Sequence, residues 1–142
     1  MAVFELRIFD KSREGKQTLS LLDLFRAIDE EKNDVLNGRW YIQRGAWGFG
    51  STMDAIEHSL RSRNEMPVNV RSLYHLMLGG REELNEAHFR KEGVIPGERM
   101  ELGVNRDERY LFAISDNEMF LRIIAAAFRD TKIDCIAGLD DN

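Results

Sequence analysis

With a single cysteine, Cys135, the chain of 142 residues cannot close an internal disulfide. The disulfide framework that supports many small secreted domains is thereby excluded, and a reducing, cytoplasmic setting is expected. Two prolines and 11 glycines are too few for a fibrous or Pro/Gly-rich disordered chain. Long hydrophobic runs are missing as well. The longest, Ile123 to Phe128, falls far short of the ~20 residues a bilayer span needs. Near the start, Glu5 and Arg7 interrupt any run that could serve as a signal peptide, so neither membrane insertion nor export is expected.

Ligand sets for metals are equally scarce. The three histidines, His58, His75 and His88, form no His-x-x-x-His or His-Glu-x-x-His pair, and one cysteine cannot make a Cys-x-x-Cys. No metal and no cofactor is expected on that spacing. Clustered basic charge is also lacking. The net charge is −5, and residues 81–142 hold 14 acids against 9 bases, so the acidity sits in the C-terminal half. That balance argues against direct nucleic-acid binding, which depends on clustered Lys and Arg. It suits solubility or a basic protein partner.

What is present reads as one α+β domain over residues 1–142, with no repeat or linker. Phe4, Leu6 and Ile8 alternate with Glu5 and Arg7, the period of a half-buried strand. Ser20 with Asp23 three residues on marks a helix start, carrying Leu21, Leu24, Phe25 and Ile28 on one face toward a stop at Asn37-Gly38. A short strand follows over Arg39 to Gln43, then a glycine-rich loop over Gly45 to Gly50. A helix begins at Ser51 with Met53, Ile56 and Leu60 as its apolar stripe. Pro67 separates it from a helix over Val70 to Leu78, and the charged stretch from Arg81 to Glu92 reads as another helix, closed by Gly93. Beyond Pro96-Gly97 the period shortens to a hairpin, Met100 to Val104 and Tyr110 to Ile114. Ser115 to Glu118 fits a capping box for a helix whose Met119, Phe120, Ile123, Ile124 and Ala127 are expected at the centre of the core. Lys132 to Ala137 closes the chain as a strand, with Cys135 as a buried thiol, and Leu139 to Asn142 reads as a tail. The expected fold is a mostly antiparallel sheet of about four or five strands with helices packed on it. It includes a C-terminal hairpin-helix-strand unit, and its first, hairpin and last strands are neighbours.

No catalytic constellation emerges. Ser20, Ser51 and Ser115 have structural reasons as helix caps, and Glu82, Glu83 and Glu86 read as the solvated face of a charged helix. Two functional readings remain. The first takes Tyr41, Trp47 and Phe49 as aromatic anchors, because rings dominate binding hot spots, with Glu101, Asp107, Glu108 and Asp116 as steering acids. It describes a noncatalytic protein inhibitor of the immunity, antitoxin or phage counter-defence kind, acting on a protein partner, with self-association left open. The alternative is a ligand-binding domain or small enzyme that holds a phosphate or nucleotide at the loop from Gly45 to Ser51. There Gly45, Gly48, Gly50 and Ser51 would expose backbone amides, and Arg39 and Arg44 would assist. Its spacing matches neither dinucleotide nor phosphate-loop fingerprints.

Overall fold

The computed structural model describes residues 2–9, 19–92 and 99–137. The expected stops at Gly93 and Pro96-Gly97 and the tail Leu139 to Asn142 lie outside those residues. Among the described residues, the elements run β1 (Val3–Phe9), α1 (Leu21–Glu31), a 3₁₀ turn (Asn33–Leu36), β2 (Trp40–Gln43), β3 (Trp47–Phe49), α2 (Ser51–Leu60), β4 (Glu65–Val68), α3 (Val70–Leu78), β5 (Glu83–Lys91), β6 (Met100–Asn105), β7 (Tyr110–Ser115), α4 (Glu118–Ala125) and β8 (Thr131–Ala137). The fold is α+β. Its sheet is antiparallel with eight strands, larger than the four or five expected, in the order β4-β2-β5-β6-β7-β1-β8 with β3 also on β5.

The additional strands come from segments whose polarity hid them. Arg81 to Glu92 is not a helix: β5 sits between β2 and β6, with Leu84, Ala87 and Phe89 buried and His88 and Arg90 on the opposite face. Two neighbouring strands satisfy its backbone on both sides, which outweighs the helix propensity of Glu, Ala, Arg and Lys. Pro67 lies within the edge strand β4, where the missing N–H costs no ladder bond. The glycine loop contains β3, which continues the line of β2 along β5 after an interruption at Arg44, Gly45 and Ala46.

All four helices bury their apolar stripes in one cluster on one side of the sheet. A row across the sheet, Ile42, Phe89, Leu102, Ala113, Leu6 and Ile133, supplies the sheet's side of that core. Helix α1 is its centre, with Leu21, Leu24, Phe25 and Ile28 fully buried, and the Ser20 amide donates to the Asp23 carboxylate at 2.8 Å to close its start. Helix α4 is narrower than expected. Phe120, Leu121 and Ile124 are buried, but Met119 (65% exposed) and Ile123 face out, and Ala127 lies beyond the helix. An eight-residue helix over the β1, β7 and β8 end of the sheet buries only the stripe it rests on. Its N-cap is Asn117, whose side chain accepts from the Phe120 amide, because Ser115 still pairs with Phe4 and Met100 in the sheet. Cys135 is exposed on the edge strand β8, not buried.

Candidate contact surface

The second face of the sheet carries no helix residue in its apolar cluster, which consists of Val3, Phe112 and Ile114 with Tyr110 and Ala137. Strand alternation sends every second side chain there. One row reads Tyr41, Arg90, Glu101, Ile114, Glu5 and Asp134, and the next reads His88, Gly103, Phe112, Arg7 and Lys132. The rows lock together through charge and ring contacts. The Arg90 guanidinium lies 4.6 Å from the Tyr41 ring centre and donates to Glu65 at 2.7 Å. Arg7 lies 4.6 Å from the Tyr110 ring, and His88 meets Phe112 edge-on at 5.0 Å between centroids. Phe112 can lie this low because Gly103 has no side chain: a Cβ there would come within 2.3 Å of both the Phe112 ring and the Ala87 carbonyl.

Glu101 is held, not free. Its carboxylate has His88 Nε2 at 2.7 Å and Arg99 at 2.9 Å. The hydrogen bond with His88 does most to hold the carboxyl below its ordinary range, partial burial opposes it, and Arg99 adds to the lowering. A depressed carboxylate stabilises the fold at pH values above its unfolded pKa, and that stability disappears as pH falls through the lowered native value. Glu101→Gln is therefore expected to lower stability near neutral pH and to flatten the acid limb, so that the two stability-against-pH curves converge as pH falls; urea midpoints from neutral to acidic pH check this.

The glycine loop meets the hairpin. Trp47 stands opposite Glu86 on β5 and is 40% exposed, with the Arg106 guanidinium 5.4 Å from its ring. The Glu86 carboxylate accepts from the Arg106 amide at 2.9 Å, which fixes the hairpin turn beside β3. Asp107 and Glu108 are exposed in that turn, and the Glu108 amide donates to Asn105. Trp47 is thus brought beside Arg106, which precedes Asp107 and Glu108 in the turn, while Tyr41 and Glu101 share a row across Arg90. Phe49, 61% exposed, lies two residues further along β3. Asp116 is not part of this group. It follows Ser115, at the opposite end of the hairpin from the turn, on the order of 17 Å along the strand.

The residues of the phosphate reading do not converge. Arg39 points to Glu92 at 3.5 Å. Arg44 donates to the Leu60 and Arg61 carbonyls and so caps the far end of α2. At the near end, Gly50 is the N-cap with φ of 118° and Ser51 is already helical. The amides there have an internal anion: Glu82, buried, accepts from Thr52 at 2.6 Å and from Met53 at 3.5 Å. Gly50 makes room for that carboxylate, and Gly48 for the Glu83 carbonyl, so these glycines serve close packing. A phosphate on these donors would have to displace Glu82.

Sequence reasoning missed Glu82, His88, Arg90, Arg106, Tyr110 and Phe112. The polar-apolar alternation Ala87-His88-Phe89-Arg90 was the available signal for two of them. Among the described residues no group of His, Cys, Asp and Glu is arranged to hold a metal, and no helix is long and apolar enough to cross a membrane. No family model matches the chain, and neither a curated protein nor a solved structure matches it.

Proposed function

We propose that this domain works by binding another protein through the surface where β3 meets the β6–β7 turn, as a noncatalytic cytoplasmic inhibitor of the immunity, antitoxin or counter-defence type. The observation that carries the reading is Trp47, exposed and stacked under Arg106, with Phe49 beside it and Asp107 and Glu108 in the adjoining turn. Tryptophan and arginine are the residues most enriched at binding hot spots, and a large ring held by a cation is ordered before it binds. Two exposed acids at the rim would steer a basic partner. Tyr41 and Arg90 extend the surface along the sheet, whereas Glu101 acts through the fold and Asp116 drops out of the contact set.

Affinity capture with the wild type and with Trp47→Ala tests the reading. The variant is expected to lose a specifically captured protein, with a hot-spot cost on the order of 2 kcal/mol or more, through faster dissociation. Its melting curve should stay close to that of the wild type, because the ring is partly exposed. Equal capture by both proteins would refute the surface.

A further inference from the structure

The two ends of the sheet differ in a way that bears on self-association. At one end, β4 carries Pro67, which blunts pairing with another strand. At the other end is β8, free of proline and paired only with β1 among the described residues. The Phe9 amide donates to the Asp130 carbonyl at 2.9 Å, which sets the phase of the ladder. Residues 132 and 134 accordingly turn their backbone groups to β1, and Thr131, Ile133 and Cys135 turn theirs to the free edge.

The charges on β8 are placed poorly for β1. Lys132 stands directly opposite Arg7, and Asp134 directly opposite Glu5, an arrangement of like charges that disfavours a strand pair. Within each strand the charges offset each other, Arg7 with Glu5 at 2.9 Å and Lys132 with Asp134 at 3.6 Å. Opposite charge across a ladder is therefore available to β8 only on its free side.

We propose that β8 pairs antiparallel with β8 of a second copy of this chain, about a twofold axis at Ile133. Registers that satisfy the free backbone groups must set Thr131, Ile133 and Cys135 against the same set on the partner. Centring on Lys132 opposes two lysines, and centring on Asp134 opposes two aspartates. Centring on Ile133 sets Lys132 against the second copy's Asp134 and the reverse, giving two reciprocal ion pairs at positions without ladder bonds, where side chains approach most closely. It also uses the whole run from Thr131 to Cys135, up to the irregularity that leaves Ile136 without a partner on β1. Across the joined sheets the charges then run Arg7, Lys132, Asp134, Glu5 in one row and the reverse in the next. The exposed apolar side chains Met119, Ile123 and Ile136 belong to α4 and β8, the elements at this end of the sheet. A Lys on an edge usually discourages strand addition. Here it discourages strands that lack an acid in register and accepts the chain's own.

Sedimentation equilibrium over a micromolar-to-millimolar concentration series tests this, with the wild type, Lys132→Asp, and Lys132→Asp/Asp134→Lys. The wild type should approach twice the 16.5 kDa of the chain as concentration rises. Lys132→Asp should raise the dimer dissociation constant on the order of tenfold or more, and the double exchange should restore it. Folding is followed separately: the single substitution places a carboxylate across from Arg7 and gives up the exposed Lys132–Asp134 pair, two small and opposing effects, so in dilute solution it should melt close to the wild type. Cys135 faces Thr131 of the second copy in this register, so mild oxidation should yield no disulfide-linked dimer. A wild type that stays monomeric, a dimer indifferent to Lys132→Asp, an exchange that fails to restore association, or ready disulfide formation through Cys135 would each overturn the proposal.

Discussion

Glu82→Ala is expected to lower the unfolding free energy by about 3 kcal/mol. The carboxylate is buried at the start of α2, where the Thr52 amide donates to it at 2.6 Å and the Met53 amide at 3.5 Å. Hydrogen bonds to charged groups contribute roughly 1.5–3 kcal/mol, and removing this acceptor strands the half-buried Thr52 amide and the buried Met53 amide. The negative charge also faces the positive end of the helix dipole. Glu82→Gln keeps the shape and one acceptor oxygen, so its loss should be smaller, about 1 kcal/mol from the missing charge. Urea denaturation of the three proteins checks the order, wild type above glutamine above alanine. An alanine variant as stable as the wild type would mean that solvent reaches these amides.

Phe89→Ala should cost about 3–5 kcal/mol, the range for emptying a large aromatic site in a core. Phe89 has no exposed surface, stands between Ile42 and Leu102 in the central row of the sheet, and meets Phe25 of α1 edge-on at 5.9 Å. Strands on both sides hold its backbone, which limits how far the sheet can collapse into the space. Thermal or denaturant unfolding measures the loss. The neighbouring substitution Arg90→Ala, on the opposite face, should cost far less, since its ion pair with Glu65 is partly exposed. Comparable losses at both positions would contradict a strand and favour a helix through this stretch.

The contrast between β5 and the well-read elements shows what was legible. Helices α1 and α3 and the β6–β7 hairpin carry clean periods, with Leu21, Leu24, Phe25 and Ile28 on one turn-spaced face and Met100, Leu102 and Val104 alternating. Local spacing was sufficient there, and the neighbouring of the first, hairpin and last strands followed. In β5 the buried positions include Asn85 and the small Ala87, and charged residues fill the other face, so the alternation is confined to the short run Ala87-His88-Phe89-Arg90. Its strand character depends on partners 47–51 residues upstream and 11–17 downstream, which no local window contains.

The candidate surface divides the same way. Trp47 and Phe49 were recognisable as residue types suited to contacts, and their exposure follows from β3 being a short strand off the main path of the sheet. Arg106, by contrast, lies far along the chain from Trp47 and reaches it only because β5 and β6 pair. Glu82 was hidden for another reason. In the sequence it is one of three acids in a charged run, and only the fold reveals that it faces the start of α2 across a glycine that leaves it room.

The most direct test of binding through the Trp47 surface uses the chain's two tryptophans, since Trp40 is fully buried and Trp47 is exposed. Acrylamide quenching of the free protein should come from Trp47 and largely disappear in Trp47→Phe. Adding the captured partner at saturation should protect Trp47 from quenching in the wild type, and partner binding should weaken in Arg106→Ala. Quenching of Trp47 that is unchanged in the saturated complex would contradict this surface as the site of contact.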